Sequence, residues 1–191
     1  LAGITFDATD TLRLRASATR KIRVPSIDQL FNTSTGNPDL RSEHANGVDV
    51  GADYRIGTAT TVGVAAFTTH ARDFIERPAS GLPFANQDRY RFRGTELTVQ
   101  TARIPRLDLR GGYSFLASVS TTSTGSRPLQ TRPRHRGSLE WLWSPFQSST
   151  VRGAVYQTGS QLFDSRGTNT VQMRYDGYTL VDLGFTQRFV R

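Results

Sequence analysis

Tight and long connections alternate strictly along this chain, and few folds produce such a rule. Tight turns fall at Ala8–Asp10, Ile56–Ala59, Ile104–Arg106 and Ser144–Gln147. Between them lie stretches rich in Gly, Pro, Ser, Thr and Asn at 21–43, 77–88, 122–133 and 161–175. The segments they join alternate with period two, the mark of strands whose faces meet different surroundings. Leu107, Leu109, Gly111, Tyr113 and Phe115 fall on one face, and Asp108, Arg110, Gly112 and Ser114 on the other. Val48, Val50, Ala52 and Tyr54 alternate in the same way with Asp49, Gly51, Asp53 and Arg55. Nine strands are predicted, at 2–6, 11–20, 44–55, 60–76, 89–102, 107–121, 134–144, 149–160 and 176–190. The one helix signal is a short turn at Ser26–Phe31, with Ser26 as its N-cap.

An antiparallel transmembrane β-barrel explains both rhythms. One rim of such a barrel carries tight periplasmic turns and the other carries long outer loops. Several predicted strands reach the ~9–11 residues that a tilted membrane strand needs, beyond the ~5–6 usual in globular sheets. Tyr54, Tyr90, Phe92, Trp141, Trp143, Tyr178 and Phe189 lie near strand ends, where interfacial girdles would put them. Aromatic residues also favour strands in general. About nine strands do not close a single-chain bacterial barrel, which normally has an even number. An open sheet in lipid would leave two raw edges, each unpaired backbone group costing several kcal/mol. The chain is therefore expected to be a section of a larger barrel, or else a small barrel with one strand unaccounted for.

Composition sets the other bounds. The hydrophobic fraction is 36% and the mean hydropathy −0.43, with no apolar run long enough for a membrane helix. A barrel strand needs apolar residues only at every second position, so its average looks ordinary. The net charge is +8, but the 24 Lys and Arg are scattered singly, and no nucleic-acid-binding motif accompanies them. No nucleic-acid partner is expected. There is no cysteine, and His70 and His135 lack partners at metal-ligand spacing, so neither metal nor cofactor is expected. No nucleophile-elbow motif or phosphate-cradling loop is present, and no catalysis is expected. The chain begins directly in a strand at Leu1–Asp7 with no signal segment, as expected of a mature chain or a fragment.

Residues 11–55 resemble a characteristic stretch of TonB-dependent outer-membrane receptors. The matching residues are Arg23, Pro25, Ser26, Leu30 and Phe31, then Gly36, Asn37, Pro38, Asp39, Leu40 and Glu43, then Val48, Gly51 and Tyr54. Ile22, Ser42 and Asp49 depart mildly from the family pattern, which usually has Phe, Pro and Glu there. Arg93–Leu97 and Tyr178–Phe189 are weaker echoes of barrel strands in the same family. The resemblance covers nearly the whole chain and implies a late section of a 22-stranded barrel. The family's plug domain and TonB box are not among these residues. It further implies energised import of a scarce nutrient across the bacterial outer membrane, most often a ferric siderophore. The TonB complex would act through the missing plug. The alternatives are a passive channel or porin, and a soluble β-sandwich binding module.

Read for their own chemistry, the motif residues Arg23, Pro25, Ser26, Gly36, Asn37, Pro38, Leu40 and Glu43 describe an ordered outer loop. Pro25 cannot donate to a ladder, and Pro38 holds Asn37 extended. Glu43 has Arg23 and Arg41 as candidate partners. Ser126–Gly137 packs Arg127, Arg132, Arg134 and Arg136 with His135 into one loop and the strand start after it. These arginines, with Arg23, are the candidate ligand residues, because the guanidinium fork matches carboxylate and phosphate. Their alternative role is rim contact with lipopolysaccharide or solvent, and Arg20 and Lys21 share that rim. Asp49, Asp53, Glu96, Arg110, Glu140, Asp182 and Arg188 lie on polar faces, expected to line the barrel interior and dock the plug.

Overall fold

The computed structural model describes residues 1–77, 81–122, 125–164 and 172–189. Its elements run β1 (Ala2–Asp7), β2 (Leu12–Arg23), α1 (Ile27–Phe31), β3 (Glu43–Ile56), β4 (Thr60–Glu76), β5 (Ala85–Ile104) and β6 (Leu107–Thr122). They continue as β7 (Gly125–Pro128), β8 (His135–Phe146), β9 (Ser149–Thr158), β10 (Gln161–Asp164), β11 (Gln172–Tyr175) and β12 (Tyr178–Gln187). One antiparallel sheet runs β1-β2-β3-β4-β5-β6-β8-β9-β12, with β7 added beside β6. Its nine long strands correspond one to one with the nine predicted. β10 and β11 form a separate hairpin. They and β7, each four residues long, lie in stretches that the sequence presents as loops. Segments so short carry too few alternating positions to announce a strand. Residues 78–80, 123–124 and 165–171 of the predicted long connections lie outside the described residues, as does residue 190.

The sheet is staggered. Thr60 faces Thr101, but the next turn closes further along, at Ile104 and Leu107. Leu107 faces Trp143, yet that hairpin closes further still, at Phe146 and Ser149. A consistent drift of turns across a sheet is the shear that tilted strands need in a barrel wall. β1 and β12 are the two edges and do not pair with each other, so the wall is an unclosed section.

Pairing fixes which residues share a face. Leu12, Tyr54, Val62, Val99, Gly111, Leu139, Val155 and Val181 form one continuous row across eight strands. One residue over, on the opposite face, the row reads Arg13, Asp53, Gly63, Thr98, Gly112, Ser138, Tyr156 and Leu180. The same register puts Asp49, Glu96, Arg110, Glu140 and Asp182 on this second, charged face. Val64, Leu97, Leu183 and Phe185 stand on the apolar face and are 44–72% exposed. Among the described residues, substantial contacts run only between hydrogen-bonded neighbours, so none of them forms a second layer over the apolar face. A sandwich must bury that face against another sheet; a membrane barrel leaves it to lipid.

The register also corrects the aromatic girdle. Tyr54, Trp141 and Trp143 stand on the apolar face near the tight-turn rim. Tyr90, Phe92 and Tyr178 belong to the charged face, in register with Ser120, Ser118 and Thr158 respectively. Tyr90 is buried, its ring edge-on to Phe74 at 4.8 Å. Trp141 lies flat over Gly153 on the neighbouring strand, where any Cβ would strike its ring. Gly153→Val is therefore expected to displace Trp141 and cost about 1–3 kcal/mol, as overpacking does. A lowered unfolding midpoint in urea checks this; an unchanged midpoint would mean the ring does not occupy that space.

Candidate functional site: the long-loop rim and the charged face

The motif loop is built as a clasp. Ser26 caps α1 with a reciprocal pair: Gln29 N donates to Ser26 Oγ at 3.2 Å, and Ser26 N donates to Gln29 Oε1 at 2.9 Å. Asn32 Oδ1 then accepts from the Ser34 and Thr35 amides. Gly36 follows where a Cβ would sit 2.6 Å from the Asn32 backbone, so glycine is required. Asn37 Oδ1 accepts from Asp39 N at 2.9 Å, and its Nδ2 donates to the Phe84 carbonyl at 2.8 Å. That second bond ties the loop to the far end of the β4–β5 hairpin.

A charged pair completes the clasp. Arg23 Nε donates to Glu43 Oε2 at 2.7 Å, and Arg23 Nη2 donates to Glu43 Oε1. Glu43 Oε1 also accepts from the Ile75 amide at 2.7 Å. Glu43 is only 7% exposed. Burial pushes its carboxyl up, but the bonds from Arg23 and Ile75 outweigh this and hold it below the usual glutamate range. Arg41 pairs instead with Asp73 at 2.7 Å, and Asn86 bonds both Arg41 backbone groups and the Asp73 carbonyl. Arg23, Ser26, Gly36, Asn37 and Glu43 thus shape and anchor the loop. Pro25 and Leu40 are half-buried within it, while Pro38 is exposed at its tip.

The basic loop separates its arginines. Arg132 and Arg134 line a 230 Å³ cleft with Ser118, Ser160, Gln161 and Arg174. Thr131 N donates to the Leu162 carbonyl at 2.7 Å, binding this loop to the β10–β11 hairpin. Arg174 Nη2 donates to Ser160 Oγ at 2.5 Å. No carboxylate lines the cleft among the described residues. Arg136 lies lower on the charged face, across from Ser114 and Thr158. Arg127 sits on β7 opposite Ser120, and Arg23 is committed to Glu43. Two of the five candidate ligand residues therefore converge, and they gain a third arginine that sequence distance hides. Arg174 lies 40 positions from Arg134, and only the hairpin pairing brings it near.

Below the rim, the charged face carries its own network. Ser17 Oγ donates to Asp49 at 2.8 Å, and Arg15 pairs with Asp53 at 3.5 Å. Arg110 stands directly across from Glu140, which accepts from the Tyr156 hydroxyl at 3.2 Å. Arg188 donates its backbone amide to Ser148 at the tight-turn rim.

The family described as TonB-dependent receptor-like β-barrel matches residues 2–190. The chain belongs to this family. No curated protein sequence matches it. Among solved structures it is similar to the ferric-catecholate import receptor Fiu of E. coli, at 19% identity and a TM-score of 0.76, over 99% of this chain and 28% of that one. It is also similar to the ferric enterobactin receptor PfeA of Pseudomonas aeruginosa, at 17% identity and a TM-score of 0.81, over 99% of this chain and 32% of that one. The copper transporter OprC matches at 15% identity and a TM-score of 0.79, over 99% of this chain and 31% of that one. The chain thus spans about a third of these receptors' length. In a TonB-dependent receptor barrel the uncovered apolar face meets lipid and the charged face meets the lumen. The 230 Å³ cleft then opens at the long-loop rim.

Proposed function

We propose that this barrel section belongs to a bacterial outer-membrane receptor that actively imports a scarce nutrient, most consistently a ferric siderophore or similar anionic chelate. The receptor is non-catalytic, and a plug domain supplied by the rest of the protein couples it to the TonB complex. Outer-membrane lipid and lipopolysaccharide surround it. Family membership supports the receptor class, and the names of Fiu and PfeA support a ferric chelate. The observation that carries the ligand chemistry is the rim cleft, where Arg132, Arg134 and Arg174 converge with no carboxylate lining it among the described residues. Three forks with no counter-ion among the described residues of the cleft suit a chelate bearing several negative oxygens.

The test is iron uptake by cells that carry the complete receptor, with ferric enterobactin as the probe. Arg132→Glu with Arg134→Glu is expected to weaken binding at least about tenfold, equivalent to about 1.4 kcal/mol. The amount of folded barrel should not change. Unchanged uptake in the double variant would remove the cleft from the ligand path. Uptake that persists without TonB would favour the passive channel.

A further inference from the structure

Three backbone hydrogen bonds build the rim cleft. Leu129 N donates to the Ser118 carbonyl at 3.1 Å, Thr131 N to the Leu162 carbonyl at 2.7 Å, and Gly159 N to the His135 carbonyl at 2.8 Å. They fix the basic loop to β6 and to the β10–β11 hairpin, and the end of β9 to the start of β8. Thr131 makes its bond at a φ of +52°. That left-handed conformation is costly for a β-branched residue, and it persists only where the surroundings hold it. The cleft is thus a constructed site at the loop junction.

The β10–β11 register decides what the cleft contains. Leu162 faces Arg174, and both line the cleft. Phe163 and Tyr175 belong to the opposite face of the hairpin, where their rings stack on each other at 4.0 Å and 18°. No aromatic side chain lines the cleft among the described residues, and its apolar part is Pro128, Leu129 and Leu162. The three arginine forks share it with the hydroxyls of Ser118 and Ser160, and Ser160 Oγ holds Arg174 in place. Its volume of 230 Å³ equals that of about eight waters at ~30 Å³ each. Sites that engulf a whole small ligand run from about 300 to 1,000 Å³. The cleft therefore takes one projecting end of a chelate.

Two kinds of oxygen chelate present different ends. In a ferric catecholate both phenolate oxygens of each ring sit on the metal, and the ring edges face outward. In a ferric hydroxycarboxylate some carboxylate oxygens stay off the metal and project. Rings gain from burial against other rings. A free carboxylate gains from the planar guanidinium fork. The cleft supplies forks and hydroxyls but no ring. We infer that it recognises the free carboxylates of a ferric hydroxycarboxylate chelate of the citrate type, and that Arg174 sets this preference over catecholates. Arg132 and Arg134 come from the basic loop and Arg174 from the hairpin, so a bound carboxylate end bridges two separate elements. The inference rests on the receptor reading above and narrows its ligand.

The test is calorimetric titration of the complete receptor in detergent with ferric citrate and with ferric enterobactin. Ferric citrate is expected to bind at least tenfold more tightly. Arg174→Leu should weaken ferric citrate at least tenfold and ferric enterobactin less than threefold. Arg174→Lys should restore only part of the loss, because the charge returns without the fork. Heat-modifiable migration reports on the fold and should be the same in all variants. Ferric enterobactin binding as tightly as ferric citrate would overturn the inference, and so would equal losses of the two in the folded Arg174→Leu variant. Iron-free citrate binding as well as ferric citrate would overturn it too. Enterobactin uptake that still needed Arg132 and Arg134 would then leave the receptor reading standing. If neither chelate bound and neither was taken up through TonB, that reading would fall with the inference.

Discussion

Leu97→Arg in the complete receptor is expected to lower barrel stability by about 2–4 kcal/mol, the cost of an arginine facing lipid near mid-membrane. Leu97 stands on the apolar face between Val64 and Tyr113, and it lies near the middle of β5. Its neighbour Thr98 provides the control. Thr98 sits on the opposite face between Gly63 and Gly112, which leave room for a long side chain. Thr98→Arg is expected to shift stability by less than about 1 kcal/mol, within the range of solvated surface changes. Urea unfolding of the barrel in lipid vesicles measures both. Equal losses at the two positions would mean that the faces do not differ in surroundings. A larger loss at Thr98 would turn the wall inside out.

Glu43→Ala should open the outer clasp. The substitution removes the acceptor of the Ile75 amide and the partner of Arg23 together. A buried donor left unsatisfied costs about 1–3 kcal/mol, and the half-exposed Arg23 adds little because solvent can replace its partner. The loss is local, so the expected readout is faster proteolysis of the 32–41 segment on intact cells, by about tenfold or more. The pH dependence has a definite sign. Glu43 titrates lower in the folded chain than in the unfolded one. Its contribution is therefore complete above the usual glutamate range and is lost as pH falls through the lowered folded value. Glu43→Gln keeps an acceptor for Ile75 but has no charge, so its clasp should be weaker at neutral pH and should lack this acidic loss. A wild-type clasp that opens no faster in acid than the glutamine variant would contradict the role given to the ion pair.

Much of this was legible in the chain because it rests on local rules. A two-faced strand must alternate, and a tight rim must carry turn residues. The Ser26 cap and the Gly36-Asn37-Pro38 turn act within a few residues of themselves. Even so, Glu43 had two candidate arginines in the sequence, and only the antiparallel pairing of Arg23 with Glu43 selected one. The cleft was half legible: Arg132 and Arg134 stand two residues apart in sequence, while Arg174 arrives through the β10–β11 pairing.

The limit of sequence reading is clearest in the run Arg89-Tyr90-Arg91-Phe92-Arg93. Its alternation says that arginines take one face and aromatics the other. Judged by mid-membrane logic, the aromatics belong outside, in the girdle. The register puts them inside, with Tyr90 packed on Phe74, and turns the arginines outward. Alternation alone determined that this protein is a two-faced wall with tight and long rims, because backbone geometry enforces it residue by residue. How the faces of neighbouring strands line up, and at what height along a strand the apolar character reverses, were decided only by tertiary structure. Those answers depend on how far each strand slides against its neighbours, which no single strand encodes.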